Sequence, residues 1–440
     1  MMPSDTAWDN AHEPGTPDIK QFFEEEHAKL RAAPKVGVPS VTPIKLATGL
    51  ATFQKWLYLP DAMPLLAVLG TVAANRMLGD PVWLLLIGPP GGGKTELLQP
   101  LAGLPDVHMT STLTEPALLS GTPAREKSKD ASGGLLRTIG SFGVLLCKDF
   151  GSVISMHRDS RASVLAALRE VYDGSWTRHV GADGGRTLHW QGKLGFIGAC
   201  TSVIDNHHAV IASMGERFIM YRLPAINEDQ QAARALDHQG SEPIMRKELS
   251  QAVSSLFNGL TLSEPQIIEG PERARLVALA TLAVRCRSAV ERDGHTREVE
   301  LIPDSEAPGR LALALSRLLA GIVAIGAPRL EGWRVIQKVA LDCVPALRLR
   351  VMRMLFNTIS TVDTTRVATV VRYPTQTTRR ALEDLTAHGV VKRTSGGQGR
   401  PDMWRLSDWT LRKCKDAGIT FPEMSGEGEE GTFPEMSGGD

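Results

Sequence analysis

Val82-Trp-Leu-Leu-Leu-Ile87-Gly88-Pro-Pro-Gly-Gly-Gly-Lys94-Thr95-Glu96-Leu-Leu-Gln-Pro-Leu101 is the stretch on which the fold turns. The apolar run Val82–Ile87 reads as a buried strand, Gly88–Thr95 fits G-x-x-x-x-G-K-[ST], and Glu96–Leu101 can be helical. In that strand–loop–helix setting, Gly88, Gly91, Gly92 and Gly93 let the backbone wrap close to phosphates. Lys94 would bridge the β- and γ-phosphates and Thr95 would ligate Mg²⁺, so ATP and Mg²⁺ are the expected ligands. The alternative is a glycine-rich turn that binds nothing.

Working outward, Gly143–Asp149 and Leu194–Thr201 are further apolar runs that read as parallel strands of the same sheet. The first ends in Asp149, placed to serve the metal and the attacking water; a strand-end Asp that caps a turn is the other reading. The second ends in Thr201, which can orient that water if its strand is inserted between the other two, or can simply form a Thr/Ser turn. Gly215-Glu216-Arg217-Phe218 precedes another apolar run, Ile219–Leu223. Arg217 is a candidate finger for a neighbouring subunit's nucleotide, against a plain surface salt bridge.

At 440 residues the chain calls for two or three folded units. Its 42% apolar and 22% charged content is that of a soluble protein with a real core. Aromatics make up only 5%, which argues against an aromatic platform for single strands. Cys147, Cys200, Cys286, Cys343 and Cys414 form no CxxC pair, so reduced buried thiols are expected rather than zinc or disulfides. There is no basic segment followed by an apolar run at the N-terminus, and no apolar stretch long enough for a bilayer. A cytoplasmic protein without a membrane partner is expected.

The organisation expected is a flexible N-terminal segment over 1–45, with one short helix near Phe22–Leu30, and an α/β nucleotide core over 46–225. A separate helical lid follows over 226–345, then a basic domain over 346–412 and a disordered acidic tail over 413–440. The tail repeats TFPEMSG from Thr420 and from Thr432, as a partner peptide or merely a solubilising end.

Taken together, residues 50 to 345 resemble an AAA+ ATPase, more narrowly the clade of the minichromosome-maintenance helicases. The resemblance rests on Gly88–Thr95, on the strand Gly143–Phe150, and on Leu168–Gly174. This last segment is similar to the helix before an inserted β-hairpin, here Trp176–Val180 and Thr187–Trp190 around the turn Gly181–Arg186. It implies a three-layer P-loop core with a parallel sheet and a helical lid, assembled as a homo-oligomer, a hexameric ring, with ATP between subunits. It also implies that the hairpin pushes on DNA through Arg186, with Arg178 and Lys193 as further candidates. Arg217 falls where the family carries its trans-acting arginine. Arg310 and Arg317, seven residues apart, resemble its second sensor helix, whose first arginine touches the γ-phosphate. The sequence departs from the family in that Lys148-Asp149 stands in place of Asp-Glu, so Asp149 serves alone or borrows Glu170 or Glu115. Thr201 replaces the sensor Asn. The lysine before the aspartate is also similar to helicase-like ATPases of phages and mobile elements, which implies a bacterial or phage-infected host.

Residues 363 to 408 resemble a MarR-like winged helix-turn-helix. Thr364–Arg372 is expected as a helix, Tyr373–Gln376 as the turn and Thr377–His388 as the second helix, with Gly389 as its C-cap. A strand Val390–Arg393, a wing Ser395–Arg400 and a return strand Met403–Leu406 complete the unit. Gln376, Thr377, Thr378, Arg379 and Arg380 would face the major groove and Arg400 on the wing would reach a phosphate or the minor groove, unless the unit binds protein instead. The whole reads as an ATP-driven motor on DNA, a replicative helicase or helicase-like initiator. The alternatives are a nucleotide-regulated transcriptional regulator and an initiator that melts one site.

Overall fold

Five parallel strands form around the glycine loop; Trp83–Ile87 is apolar throughout and buried on both faces, as is Phe142–Cys147 from Gly143 on, whereas the edge strand Val107–Thr110 is only half-buried. The computed structural model describes residues 42–120, 133–181, 185–207, 217–262, 267–397 and 399–422. Within them the sheet consists of β1 (Trp83–Ile87), β2 (Val107–Thr110), β3 (Phe142–Cys147), β6 (Lys193–Cys200) and β7 (Phe218–Arg222), in the order β2-β3-β6-β1-β7. A hairpin of β4 (Ser175–Val180) and β5 (Arg186–Gln191) is inserted before β6. The strand that ends in Thr201 therefore does lie between the other two. The result is an α/β protein with a parallel sheet and many helices, compatible with a P-loop core.

Register places the chemistry. Ile87 is level with Cys200 on one side and Arg222 on the other, and Cys147 is level with Gly198. Gly88, Asp149, Thr201 and Leu223 consequently emerge together at the finishing end of the sheet. Below them, Trp83 packs against Phe196, Phe218 and Tyr172, and Phe150 against Phe196 and Phe218. These rings weld the sheet to Arg158–Tyr172, the helix that leads into the hairpin.

The helix Met63–Arg76 is buried from Pro64 to Asn75. At its end the Asn75 side chain accepts from the Val82 N–H (2.9 Å) and donates to the Val82 carbonyl (2.9 Å), acting as a strand partner for the residue that opens β1. A Cβ on Gly195 would come within 2.6 Å of the Asn75 amide, so β6 needs glycine there. On its other side this helix crosses Gly309–Ala324, where a Cβ on Gly321 would collide with the Gly70 carbonyl and one on Gly70 with Ile322. The two helices touch backbone to backbone.

The helices of the region 226–345 pack directly on the elements that precede them. Glu242–Asn258 packs on Leu46–Trp56 and on the turn Gln99–Gly103, and Arg329–Asp342 packs on β7. The helical period is as expected, and the packing partners lie far away in sequence. The short hairpin of β8 (Glu291–Arg292) and β9 (Val299–Leu301) projects from this region.

At the C-terminal side, helices Ala346–Phe356, Thr364–Val371 and Thr375–Ala387 pack with an antiparallel sheet of β10 (Val362–Asp363), β12 (Met403–Leu406) and β11 (Val391–Thr394). Gly389 follows the third helix at φ 69, as expected of its C-cap. That helix starts two residues earlier than expected, at Thr375, because Pro374 takes the N-cap position. Residues 413–422, expected in the tail, are instead built in. The helix Asp408–Asp416 lies on Gly270–Arg287, Arg285 stacks on Trp409, and Phe421 meets the ring of Phe356. Burial of Cys414, Ile419 and Phe421 outweighs the polar composition. The expected helix near Phe22–Leu30 and the TFPEMSG repeats beyond Pro422 lie outside the described residues. No described helix is long and apolar enough to cross a membrane.

Candidate functional site

The loop Gly88–Gly93 turns back on itself with Gly91 at φ 73 and Gly93 at φ 76, conformations that a side chain would strain. No atom stands within 4 Å of where a Cβ would sit on either, so the demand is for backbone shape and an open approach. Lys94 Nζ donates to the carbonyls of Gly88 (2.8 Å) and Pro89 (2.6 Å). Burial pulls its ammonium below the usual lysine range, and the charges of Cys200 and Asp149 oppose the shift. The lysine thus stands over its own loop, inside the electrostatic reach of the carboxylate at the tip of β3.

Asp149 is exposed, and its Oδ1 accepts from the Ser152 N–H (3.3 Å), so the turn-capping role is present along with an open carboxylate edge. Thr95 is exposed one residue beyond Lys94, and Thr201 is half-buried one residue beyond Cys200. Among the described residues no three His, Cys, Asp or Glu side chains gather around one point. A hydroxyl and a single carboxylate beside a phosphate cradle fit Mg²⁺, which takes one or two protein oxygens and fills its shell with phosphate and water. Neither borrowed acid is placed to help. Glu115 is held by Arg178, whose Nε donates to its carboxylate (2.7 Å) while Nη1 donates to the Leu119 carbonyl. Glu170 is two residues from Tyr172, which packs on Trp83 at the starting end of β1.

The candidate finger lies at that starting end. Arg217 immediately precedes β7, level with the beginning of β1, so a strand length of about 16 Å separates it from Gly88 of its own chain. Its Nη2 donates to Asp173 (2.6 Å), and its guanidinium lies 5.4 Å from the Tyr172 ring. Arg317 pairs with Asp80 (3.0 Å) and Arg310 with Glu306 (3.4 Å). Burial raises the Tyr172 phenol pKa and Asp80 adds to the shift, whereas Arg317, Arg310 and Arg217 oppose it. These three arginines therefore share one neighbourhood, and Arg310 does not face Lys94 of its own subunit.

The hairpin divides by alternation. Trp176, Leu188 and Trp190 are buried, with Trp190 Nε1 donating to the Gly140 carbonyl (2.8 Å). Ser175, Thr177, His179, Thr187, His189 and Gln191 form an exposed face, where Thr177 pairs with His189 (3.0 Å) and His179 with Thr187 (3.1 Å). Sequence reasoning looked for cations and missed this face; a strict period of two was the available signal. Arg186 is half-buried at the start of β5, and the turn residues 182–184 lie outside the described residues. Two candidates are corrected. Arg178 is engaged with Glu115, and Lys193 is buried with Nζ on the Met77 carbonyl (2.6 Å). Burial, reinforced by the charge of Arg317 and opposed by that of Asp80, lowers the Lys193 ammonium to about 7. As the first residue of β6, it points into the packing beneath the sheet rather than along the hairpin.

In the C-terminal unit Gln376, Thr377, Arg379 and Arg400 are exposed and Arg380 is half-buried. Thr378 is fully buried and is corrected, since it shares the inward face with Ala381, Leu382 and Leu385. The acids of this surface are all engaged. Arg379 pairs with Glu383 (3.0 Å), Arg393 with Asp402 (2.7 Å), and Arg292 of β8 reaches both Glu383 (3.1 Å) and Asp384 (2.6 Å). Neutralising those carboxylates leaves Arg380, Lys392 and Arg400 to set the sign of the surface.

No protein-family model matches the chain, and no curated protein matches it. Among solved structures the chain is similar to the A-form apo structure of the NrS-1 C-terminal region, residues 305–718. The identity is 11% and the TM-score 0.24, over 84% of this chain and 77% of that one. It is also similar to the S. cerevisiae Hsp104–ADP complex, at 15% identity and TM-score 0.25, over 85% of this chain and 54% of that chain. The chain thus spans about half the length of the second structure. Both superpositions are loose, and the reading of the site rests on its own geometry.

Proposed function

We propose that this chain is an AAA+ ATPase that hydrolyses ATP between subunits and applies the energy to DNA, as a replicative helicase or helicase-like initiator of a phage or mobile element. One observation carries the reading: Lys94 is poised on its glycine loop while Asp149 and Thr201 emerge from the two neighbouring strands at the same end of the sheet. Binding of nucleotide exchanges two neutral carbonyl acceptors of Lys94 for phosphate oxygens, which make the stronger, charge-assisted bonds. Thr95 and Asp149 would hold Mg²⁺, which when bound supplies charge neutralisation at the phosphates. Thr201 aligns the attacking water.

Arg217 cannot reach Lys94 of its own chain, so its role requires a second copy, and Arg310 is placed to act with it across the same boundary. That separation supports reading the protein as a homo-oligomer, a hexameric ring as the family resemblance implies. Its pairing with Asp173 must be exchanged for phosphate when the interface closes. The C-terminal unit reads as a winged helix that offers Gln376, Thr377, Arg379, Arg380 and Arg400 to DNA, and the hairpin with Arg186 is the moving contact. The test is phosphate release by purified protein with and without forked DNA. Lys94→Ala is expected to lower turnover by about 100-fold or more, and strand displacement should require ATP. Hydrolysis unaffected by Lys94→Ala would end this reading.

A further inference from the structure

Arg222 closes β7 at the level of Ile87, and the next residue, Leu223, donates its N–H to the Ile87 carbonyl (2.7 Å) and leans on Gly88. Its side chain is largely buried and serves two elements at once. Nη1 and Nη2 grip both oxygens of Asp205 (2.8 and 2.7 Å), and Nε donates to the backbone carbonyl of Asp342 (3.0 Å). The Arg222 backbone N–H also donates to Asp342 Oδ2 (2.7 Å), and the same oxygen accepts from Lys338 Nζ (2.7 Å). Asp205 belongs to the 3₁₀ turn Ser202–His207, which begins immediately after Thr201. Asp342 is the last residue of the lid helix Arg329–Asp342.

We propose that Arg222 is a positioning residue that ties the Thr201 turn to the end of the helix Arg329–Asp342, so that this anchorage holds Thr201 where it aligns the attacking water. The inference rests on the ATPase reading above. In hydrolysis a water oxygen bonds to the γ-phosphorus while the bond to the β,γ-bridging oxygen breaks, its electron pair staying on the ADP oxygen and the water's proton passing to Asp149. Arg222 touches none of these atoms. It acts through Asp205 on the loop that starts at Thr201, and the planar fork holds that loop because two parallel bonds fix orientation as well as distance. A buried ionic network is a poor device for plain adhesion, since apolar packing of the same volume does that as well. Burial raises the Asp342 carboxyl pKa, and Lys338 and Arg222 bring it back only in part. The arrangement holds the glycine-loop edge, the Thr201 turn and the end of the helix Arg329–Asp342 in register.

The experiment compares the full chain with Arg222→Gln, Asp205→Asn and the double variant. Steady-state phosphate release gives kcat and KM, and equilibrium titration with a fluorescent non-hydrolysable ATP analogue and Mg²⁺ gives affinity. Each single variant is expected to lower kcat about 10- to 100-fold. KM and analogue affinity should stay within about twofold, and the double should be no slower than the slower single. Unchanged kcat, affinity that falls in step with kcat, or additive losses would each overturn the positioning role. Should Arg222→Gln fail to fold, as judged by its melting profile, Asp205→Asn carries the test alone under the kcat and affinity criteria. Wild-type turnover indifferent to Lys94→Ala would remove the parent reading and this role together. Lys94-dependent turnover with a silent Arg222–Asp205 pair would remove this role only.

Discussion

At the finishing end of the sheet Lys94 is held by two backbone carbonyls, whereas at the starting end Arg217 and Arg317 are held by the carboxylates of Asp173 and Asp80. Neutral acceptors are surrendered readily to phosphate. A carboxylate gives up its arginine only to a competing anion brought in good geometry, because the charge-assisted bond is the stronger one. The difference teaches that the two ends have different thresholds. Under the proposed ATPase reading, the glycine loop would take nucleotide in a single chain, and the arginine cluster would act only when another copy presents phosphates to it.

The comparison breaks most visibly in a mixing experiment. Arg217→Ala is expected to lose about 10³-fold in turnover yet keep the nucleotide affinity of the parent, while Lys94→Ala loses both. Combined in equal amounts, the two variants should regain activity, because some interfaces then pair an intact cradle with an intact finger. Absence of any recovery at concentrations where the parent assembles would show that both residues work in one subunit.

A smaller effect separates the sheet from the C-terminal unit. Replacement of Arg400 by alanine is expected to weaken duplex binding roughly 3- to 10-fold and to lower the slope of log affinity against log salt by about one. DNA-independent hydrolysis should be unaltered. An unchanged slope would mean that the wing does not touch phosphate, which favours the protein-binding reading of this unit.

The smallest expected effect is on stability. Lys193, at the starting end, takes up its proton only below about 7 when folded, but below the ordinary lysine value of 10.5 when unfolded. Between those pH values the unfolded chain binds more protons, so this group makes the fold gain stability as pH rises from 7 towards 10.5. Thermal melts of the parent should shift upward over that interval by more than those of Lys193→Met, in which the slope from this position is gone. Parallel pH profiles would indicate that the ammonium is charged in the folded protein.

Much of the nucleotide end was legible from residues alone. Gly88–Thr95 is a local device whose backbone shape, glycine content and flanking strand are all contiguous, and Asp149 and Thr201 could be placed because each ends an apolar run. In the C-terminal unit the helix Thr364–Val371, the Gly389 cap and the strand Met403–Leu406 were equally local. Thr378 was misjudged although the signal was present: it stands three, four and seven residues before Ala381, Leu382 and Leu385, which puts it on their inward face. Glu115, Lys193 and Arg178 were misjudged for another reason: a side chain's partner across 50 or more residues leaves no trace in its own neighbourhood.

The chain by itself determined the phosphate cradle, the strands that carry Asp149 and Thr201, and the helices of the C-terminal unit, because each depends on side chains a few positions apart. Only the tertiary structure decided the strand order, the backbone crossing at Gly70 and Gly321, and the Asn75–Val82 clip. It alone also brought Arg217, Arg310 and Arg317 to the end of the sheet remote from Lys94. Those outcomes depend on the close packing of distant surfaces, and a match of shape between two helices or two strands is a property of the pair rather than of either segment.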